Sequence, residues 1–426
     1  MTKYLLKNVT IVDPHSDFNQ WVADILISEG KIEKIAKAGT KDLESTNNKR
    51  IDLKGRHVSP GFCDLATWRG EPGYEHRETL DSLAKSAIQG GFTDLAVLPN
   101  VHPVADHRSA ITFLKSRAAD LPCRLHPIGA ISEKAEGKEL AELRDMAEGG
   151  AVAFSDGFTS IQESALLLRA LIYGKGFGAK VLHHPSEAKT FPKGLMHEGI
   201  ISTKLGTKGI PVAAEVMAIQ RDLELVRYAN APLHFLGISS KRGTDLIRKA
   251  KEEGLPVSCS VPVWNIAFTD ENINDFNIYF KFDPPLRDET DRLALIEGLK
   301  DGTIDAIYSH HMPWNNEVKN LEFPFSKAGA ISLQTAFSLS CEVLSNHLHF
   351  EQIVQLWTSN PRNILGFKQE SISEGNTCAM VIYETDSKWS FHKEQNESLS
   401  ENSPLWDHAF SVKIKGVLIG NQYHGF

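Results

Sequence analysis

The sequence predicts an α/β fold: a (β/α)8 TIM-type barrel with a small β-sandwich-like domain built from both termini. Three observations predict it. Apolar strand-like runs alternate with helical segments through the middle of the chain, about eight units over roughly 300 residues, the pattern of a closed parallel sheet. Both ends consist instead of short Ile-, Val- and Leu-rich runs broken by Gly and Asp. No apolar run approaches the roughly 18–20 residues needed to cross a bilayer.

Taken in order, the N-terminal strands are "YLLKNVTIVD", "ADILISEGKIEKI" and "RIDLKGRHVSP". The barrel runs follow as "TDLAVLPN", "CRLHPIGA", "AVAFSD", "AKVLHHP", "APLHFLGIS", "LPVSCSV" and "IDAIYSHH". Between them "ETLDSLAKSAIQGG", "SALLLRALIYGKGFG" and "GTDLIRKAKEEG" have helical apolar spacing. "EKAEGKELAELRDMAEGG" (133–150) predicts a further exposed helix, and "CAMVIYE" and "FSVKIKGVLIGNQYH" return to strand. The division expected is residues 1–57 with 367–426 for the β-domain and 58–366 for the barrel. "KEQNESLSENSP" (393–404), polar and Pro-ended, reads as a surface loop of the β-domain.

With 41% hydrophobic and 23% charged residues and a net charge of -8, the chain reads as globular and is a poor match for nucleic acid or an anionic membrane. Five scattered cysteines without a C-x-x-C pair indicate reduced thiols and a cytoplasmic setting. The glycines of "GKGFG" (174–178) and "GTKG" (206–209) lack the strand–loop–helix context of a phosphate loop and read as turns.

Eight stretches, in order, resemble dihydroorotases of the cyclic amidohydrolase group: "PGF.D" (60–64), "EPGYEHRET" (71–79), "GGFTDLAVLPNVHPV" (90–104), "GAVAFSD" (150–156), "EVMAIQRDLEL" (215–225), "FKFDPPLRDETDR" (280–292), and "GLKDGTIDAI" with "SNPRNILG" near the end of the barrel. The resemblance implies zinc at the C-terminal mouth of the barrel, a metal-generated hydroxide attacking a polarised cyclic amide, and a carboxylate shuttling the proton.

Carried over residue by residue, that machinery falls on unsuitable side chains. The His-x-His that ends the family's first strand falls on Ala66 and Trp68, and its substrate-binding Arg falls on Gly70. An Asp-Asp-Gly becomes Asp156-Gly157-Phe158, while one His is kept as His184. The next His falls on Gly237, and "TPHH" becomes a run ending in Val263 and Trp264. The catalytic Asp falls on His310 and the last His on Trp314. A substrate-contacting Asn falls on Asp283, although Asn100 is retained, either to recognise an amide or carboxylate or to cap its loop.

The leading reading is therefore a non-catalytic dihydroorotase-like protein of pyrimidine biosynthesis, with no catalytic residues and no cofactor expected. The resemblance implies aspartate transcarbamoylase as its partner, self-association, or both. Two alternatives stand beside it. One is an active hydrolase with a mononuclear zinc site on Asp156, His184 and His310. The other is a binding module whose vestigial substrate pocket is formed by Asn100, Asp283, Trp68, Trp264 and Trp314. Clustered aromatics at vacated polar positions otherwise fill volume.

Overall fold

The computed structural model describes residues 3–40, 43 and 48–426. Eight parallel strands form the barrel in sequence order: Phe62–Thr67, Phe92–Val97, Arg124–Gly129, Ala153–Phe154, Leu182–His183, Leu233–Leu236, Val257–Pro262 and Ala306–Tyr308. They run as two four-stranded ladders joined by a bridge between Phe154 and Val181. A side chain closes the ring at the other seam. Asp64, buried on the first strand, accepts from the Ser309 amide at 2.7 Å and the Ser309 hydroxyl at 2.6 Å, and the Trp68 amide donates to the His311 carbonyl at 3.2 Å.

Helices pack outside the ring because their apolar residues recur at three- and four-residue intervals. Helix Leu80–Gln89 buries Leu80, Leu83, Ala84, Ala87 and Ile88, and the Thr79 hydroxyl caps it by accepting from the Ser82 amide. Ser240 and Asp288 cap helices Lys241–Glu252 and Glu289–Lys300 in the same way. Such caps fix where each loop at the barrel mouth turns.

The helix expected over 133–150 is confined to Leu143–Gly149, after a short 3-10 turn at Glu133–Ala135. Asp156 accounts for the difference. Its carboxylate accepts from the Ile131 and Ser132 amides at 2.8 and 2.9 Å, and the Ser132 hydroxyl in turn accepts from the Gly137 amide. Those bonds hold the segment in a loop.

Strands from both termini share one eight-stranded sheet. Its path runs Gln422–Gly425, Lys413–Ile419, Ala379–Glu384, His57–Pro60, Lys3–Ile11, Val22–Ser28 and Lys31–Lys37, with Asn48–Asp52 also pairing with Lys3–Ile11. His57–Pro60, at the expected domain boundary, belongs wholly to this sheet.

The segment 393–404 is at the surface only in part: Lys393, Glu394, Gln395, Leu399 and Glu401 are exposed. Ser398, Ser400, Asn402 and Ser403 are buried against the barrel mouth. Asn402 Oδ1 accepts from the Trp314 amide at 2.9 Å, while its Nδ2 donates to the carbonyls of Met312 at 2.9 Å and Gly329 at 3.1 Å. The Ser400 hydroxyl donates to the Arg77 carbonyl at 2.9 Å, and the Ser398 hydroxyl donates to Glu78. The buried polar side chains of this run thus have hydrogen-bond partners in the mouth, as buried polar groups require.

Candidate functional site

In a barrel of this kind the loops after the strands form the mouth where ligands bind. Here the first and last loops meet around one cation. The Arg77 guanidinium lies between two indoles, 3.7 Å from the ring centre of Trp68 and 3.5 Å from that of Trp314. Its Nε and Nη2 both donate to the Pro313 carbonyl, at 2.9 and 2.7 Å. The Trp68 Nε1 donates to the Asn100 carbonyl at 2.9 Å and the Trp314 Nε1 to the Ala328 carbonyl at 2.8 Å. Arg77 is buried, and burial pulls its pKa down to about 9. Trp68 and Trp314 are thus the two faces of a filled sandwich.

Trp264 stands apart from them. It stacks on Phe282 at 5.1 Å and Phe268 at 6.2 Å within the barrel core, so the three tryptophans do not line one pocket. Ala66 is buried inside the barrel with Leu65, Leu98 and Tyr308. Gly70 has no room for a side chain: a Cβ there would lie 2.0 Å from the Glu78 carbonyl oxygen. The neighbouring Arg69 is buried and donates to the carbonyls of Leu98 and Glu71 at 3.4 and 2.9 Å, leaving it unavailable at the mouth.

His184 and Asp283 come together. His184 Nδ1 lies 3.2 Å from the Leu236 carbonyl oxygen, and its Nε2 lies 3.7 Å from Asp283 Oδ1. Burial alone would depress the imidazole, but the Asp283 carboxylate carries its pKa above the ordinary value. Burial works against the Asp283 charge as well, and His184 holds that carboxyl below its usual range. The Asp283 side chain remains 53% exposed, so water reaches the pair.

His310 is buried in a left-handed backbone conformation (φ 51°), edge-on to Phe158 at 4.7 Å, and burial lowers its pKa to about 3. Its Nδ1, the Tyr308 hydroxyl and Asn100 Oδ1 are buried without a hydrogen-bond partner. Asn100 Nδ2 donates to the Asp156 carbonyl at 3.1 Å, tying the second and fourth loops together. Gly237 has φ 81°, and a Cβ there would lie 2.6 Å from Tyr308 Oη. The tyrosine occupies the space a side chain at 237 would need.

These residues do not fit a zinc ion. Both carboxylate oxygens of Asp156 are taken by Ile131 and Ser132, and burial raises its pKa despite those bonds. The carboxylate beside His184 is Asp283, and among the described residues neither of them, nor Asp156 or His310, belongs to a group of three ligand atoms close enough to share an ion. Adjacent histidines are no substitute. His183 lies 2.7 Å from Asp222 and accepts from the Ile161 amide, and His311 accepts from the Ser332 amide and lies 3.4 Å from Glu78. His234 lies between the hydroxyls of Ser258 and Ser260, at 2.8 and 2.9 Å, and lines a cleft of about 390 Å³ at the opposite end of the barrel.

Among the described residues, one group of three has donor atoms close enough to share a cation: His197, Asp288 and Asp291. Burial and Arg287 lower the His197 pKa to about 4, and the guanidinium, whose Nη1 lies 3.1 Å from His197 Nδ1, sets a positive charge where a cation would have to sit. All five cysteines are buried, and for Cys63 burial pushes the thiol far above its usual pKa.

Sequence reasoning flagged Trp68 and Trp314 but missed Arg77. The sequence gives no signal for it: with Glu75 and Glu78 beside it and Asp81 four residues on, Arg77 reads as an ordinary charged residue.

The family model for Dihydro-orotase-like proteins matches residues 55–243. The chain is 36% identical over 411 residues to the dihydroorotase of Acetivibrio thermocellus, covering 96% of this chain and 95% of that protein. It is 37% identical over 419 residues to the dihydroorotase of Caldicellulosiruptor saccharolyticus, covering 97% and 96%. Among solved structures, L-hydantoinase (dihydropyrimidinase) from Arthrobacter aurescens superposes with a TM-score of 0.87 at 23% identity, covering 99% of this chain and 96% of that one. A D-hydantoinase gives 0.84 at 20% identity. These structures share the fold.

Proposed function

We propose that this chain, which belongs to the dihydroorotase family of cyclic amidohydrolases, does not hydrolyse a cyclic amide and instead serves pyrimidine biosynthesis as a structural or regulatory partner of aspartate transcarbamoylase. The observation that carries this reading is the Trp68–Arg77–Trp314 sandwich. It fills the two positions where the family pattern places the second His of the first strand and the last His after the eighth. The same mouth has Tyr308 against Gly237 and Asp156 hydrogen-bonded to a loop, which favours a barrel kept for its shape.

The test uses full-length chain purified without chelators from zinc-supplemented cells. Substoichiometric zinc, no turnover of dihydroorotate in either direction, and co-sedimentation with aspartate transcarbamoylase are the expected results. About one zinc per chain with enzymatic turnover would end the non-catalytic reading; failure to co-sediment would end the partnership alone.

A second reading, binding of a small polar ligand without turnover, is favoured by one observation. Asp283 is half exposed beside the unpartnered atoms of Tyr308 and His310. It is tested by thermal stabilisation on addition of dihydroorotate.

A further inference from the structure

The cleft at the far end of the barrel measures about 390 Å³, within the roughly 300–1,000 Å³ of small-molecule sites. Its walls are the residues that enter the fifth to eighth strands, together with the helix Ser359–Leu365, so it opens away from the mouth. Eight lining residues are Val, Leu, Ile or Pro, and the five polar ones are Lys180, His234, Ser258, Asp305 and Asn363.

His234 faces the barrel interior, two residues before Leu236 on the same side of its strand. Branched apolar side chains ordinarily fill such an interior. Here a histidine lies between two serines instead, with Nδ1 2.8 Å from Ser258 Oγ and Nε2 2.9 Å from Ser260 Oγ. Burial, and after it the charge of Lys251, lowers the imidazole pKa to about 3, so the ring is neutral and carries one proton. Ser260 decides which nitrogen holds it. That hydroxyl is fully buried and finds no other acceptor among the described residues, so its hydrogen goes to Nε2. The ring proton is therefore on Nδ1 and is donated to Ser258 Oγ. Ser258 is half-buried on the cleft wall, and its own hydrogen has no acceptor among the described residues. Ser260, His234 and Ser258 thus form a line of hydrogen bonds that runs from the core to the cleft, each polarising the next.

Two more unused donors stand on the same wall. The Lys180 side chain lies across Gly366, where a Cβ would be 3.2 Å from its Cε, and its ammonium has no ion pair or hydrogen bond among the described residues. Asn363 Oδ1 accepts from Gln369 Nε2, which leaves the Asn363 Nδ2 hydrogens free. The carboxylate of the cleft is already engaged. Asp305 lies 2.7 and 2.8 Å from the Lys251 ammonium and accepts from the Cys259 amide at 2.8 Å. What remains for a ligand is one uncompensated positive charge, two neutral donors and an apolar wall.

We propose that this cleft binds a small organic monocarboxylate, with its two oxygens on Lys180, Ser258 and Asn363 and its hydrocarbon part against the Val, Leu, Ile and Pro side chains. A neutral amide would leave the ammonium without a counter-charge, and a phosphate monoester would bring about two negative charges to one cation. The inference does not depend on the proposed function.

Calorimetric titration of the full chain with hexanoate and with 3-phenylpropionate, each beside its primary amide, tests it. At least one acid is expected to bind once per chain with a Kd of about 1 mM or below, and at least about tenfold more tightly than its amide. Lys180→Met and Asn363→Asp, at partly exposed positions, should each weaken that acid at least about tenfold. Nitrogen-15 spectra of histidine-labelled chain, with His234→Gln to identify the signal, should place the His234 proton on Nδ1. The proposal is overturned if neither acid binds at about 10 mM, if the amides bind as tightly as the acids, if Lys180→Met with the parent's urea midpoint binds unchanged, or if the His234 proton is on Nε2.

Discussion

Truncating Arg77 to alanine should destabilise the protein by about 3 kcal/mol. Each indole face, desolvated and within 4 Å of the guanidinium, contributes about 2 kcal/mol. The charged donors on the Pro313 carbonyl add about 2 kcal/mol. Burial opposes this: a pKa drawn from 12.5 down to about 9 corresponds to roughly 5 kcal/mol of lost solvation. The interactions thus exceed the desolvation cost by only about 1 kcal/mol. Truncation adds a term of its own, because two indoles held by hydrogen bonds to Asn100 and Ala328 cannot collapse onto the gap, and an unfilled space of that size costs about 2 kcal/mol. Urea unfolding of the parent, Arg77→Ala and Arg77→Lys is the assay. Lysine keeps the charge but cannot lie flat between two rings, so it should lose most of what alanine loses. An alanine variant within about 1 kcal/mol of the parent would refute the idea that the sandwich holds the mouth closed.

Three further outcomes are expected. Asn402→Ala removes an acceptor for the Trp314 amide and donors to Met312 and Gly329, and should cost about 2–4 kcal/mol with faster proteolysis in the 312–331 loop, read by urea midpoint and peptide mapping. Gly237→His should cost more than about 2 kcal/mol, since the position needs φ 81° and a Cβ would meet Tyr308 Oη at 2.6 Å; adding Tyr308→Ala should recover part of the loss in a double-mutant cycle. The His184–Asp283 pair should contribute to stability most between the unfolded carboxyl value near pH 4 and the unfolded imidazole value near pH 6.5. The folded His184 pKa is raised, so its contribution is full below the unfolded value and fades as pH rises through the folded one; the lowered Asp283 pKa gives the acid-side loss. Asp283→Asn should therefore lower the thermal midpoint at pH 6 and much less above pH 8, and a midpoint shift independent of pH would show that the pairing is not ionic.

The barrel was legible because a parallel sheet buried on both faces leaves near-continuous apolar runs, as in Leu95, Ala96 and Val97. Where local hydrogen bonds override periodicity, the reading broke down. The 133–150 segment has helical spacing, yet Asp156 captures the Ile131 and Ser132 amides and turns the chain, so that the helix starts only at Leu143. The 393–404 run has the composition of a solvated loop, and composition does not reveal that Asn402 finds backbone partners near residues 312, 314 and 329. The same limit applied at the mouth. Tryptophans at 68, 264 and 314 looked equivalent on the sequence, but only two of them face Arg77. The third stacks on Phe282, because position 263 begins the short helix Val263–Ala267, which packs Trp264 into the core.

The latch from the C-terminal segment to the mouth also sets an order of assembly during synthesis. The barrel's last strand and its following loop are made some 90 residues before Asn402 emerges, so the loop carrying Trp314 must wait for the residue that holds it. In the sheet, the strands that pair with Lys3–Ile11 are all made early, but one edge waits longer. His57–Pro60, the neighbour of Lys3–Ile11, completes its pairing only with Ala379–Glu384. At about 5–20 residues per second, several tens of seconds separate the two ends of that sheet. Through that interval the N-terminal strands present an unpaired edge, and the chain is most exposed to wrong partners just before its final residues arrive.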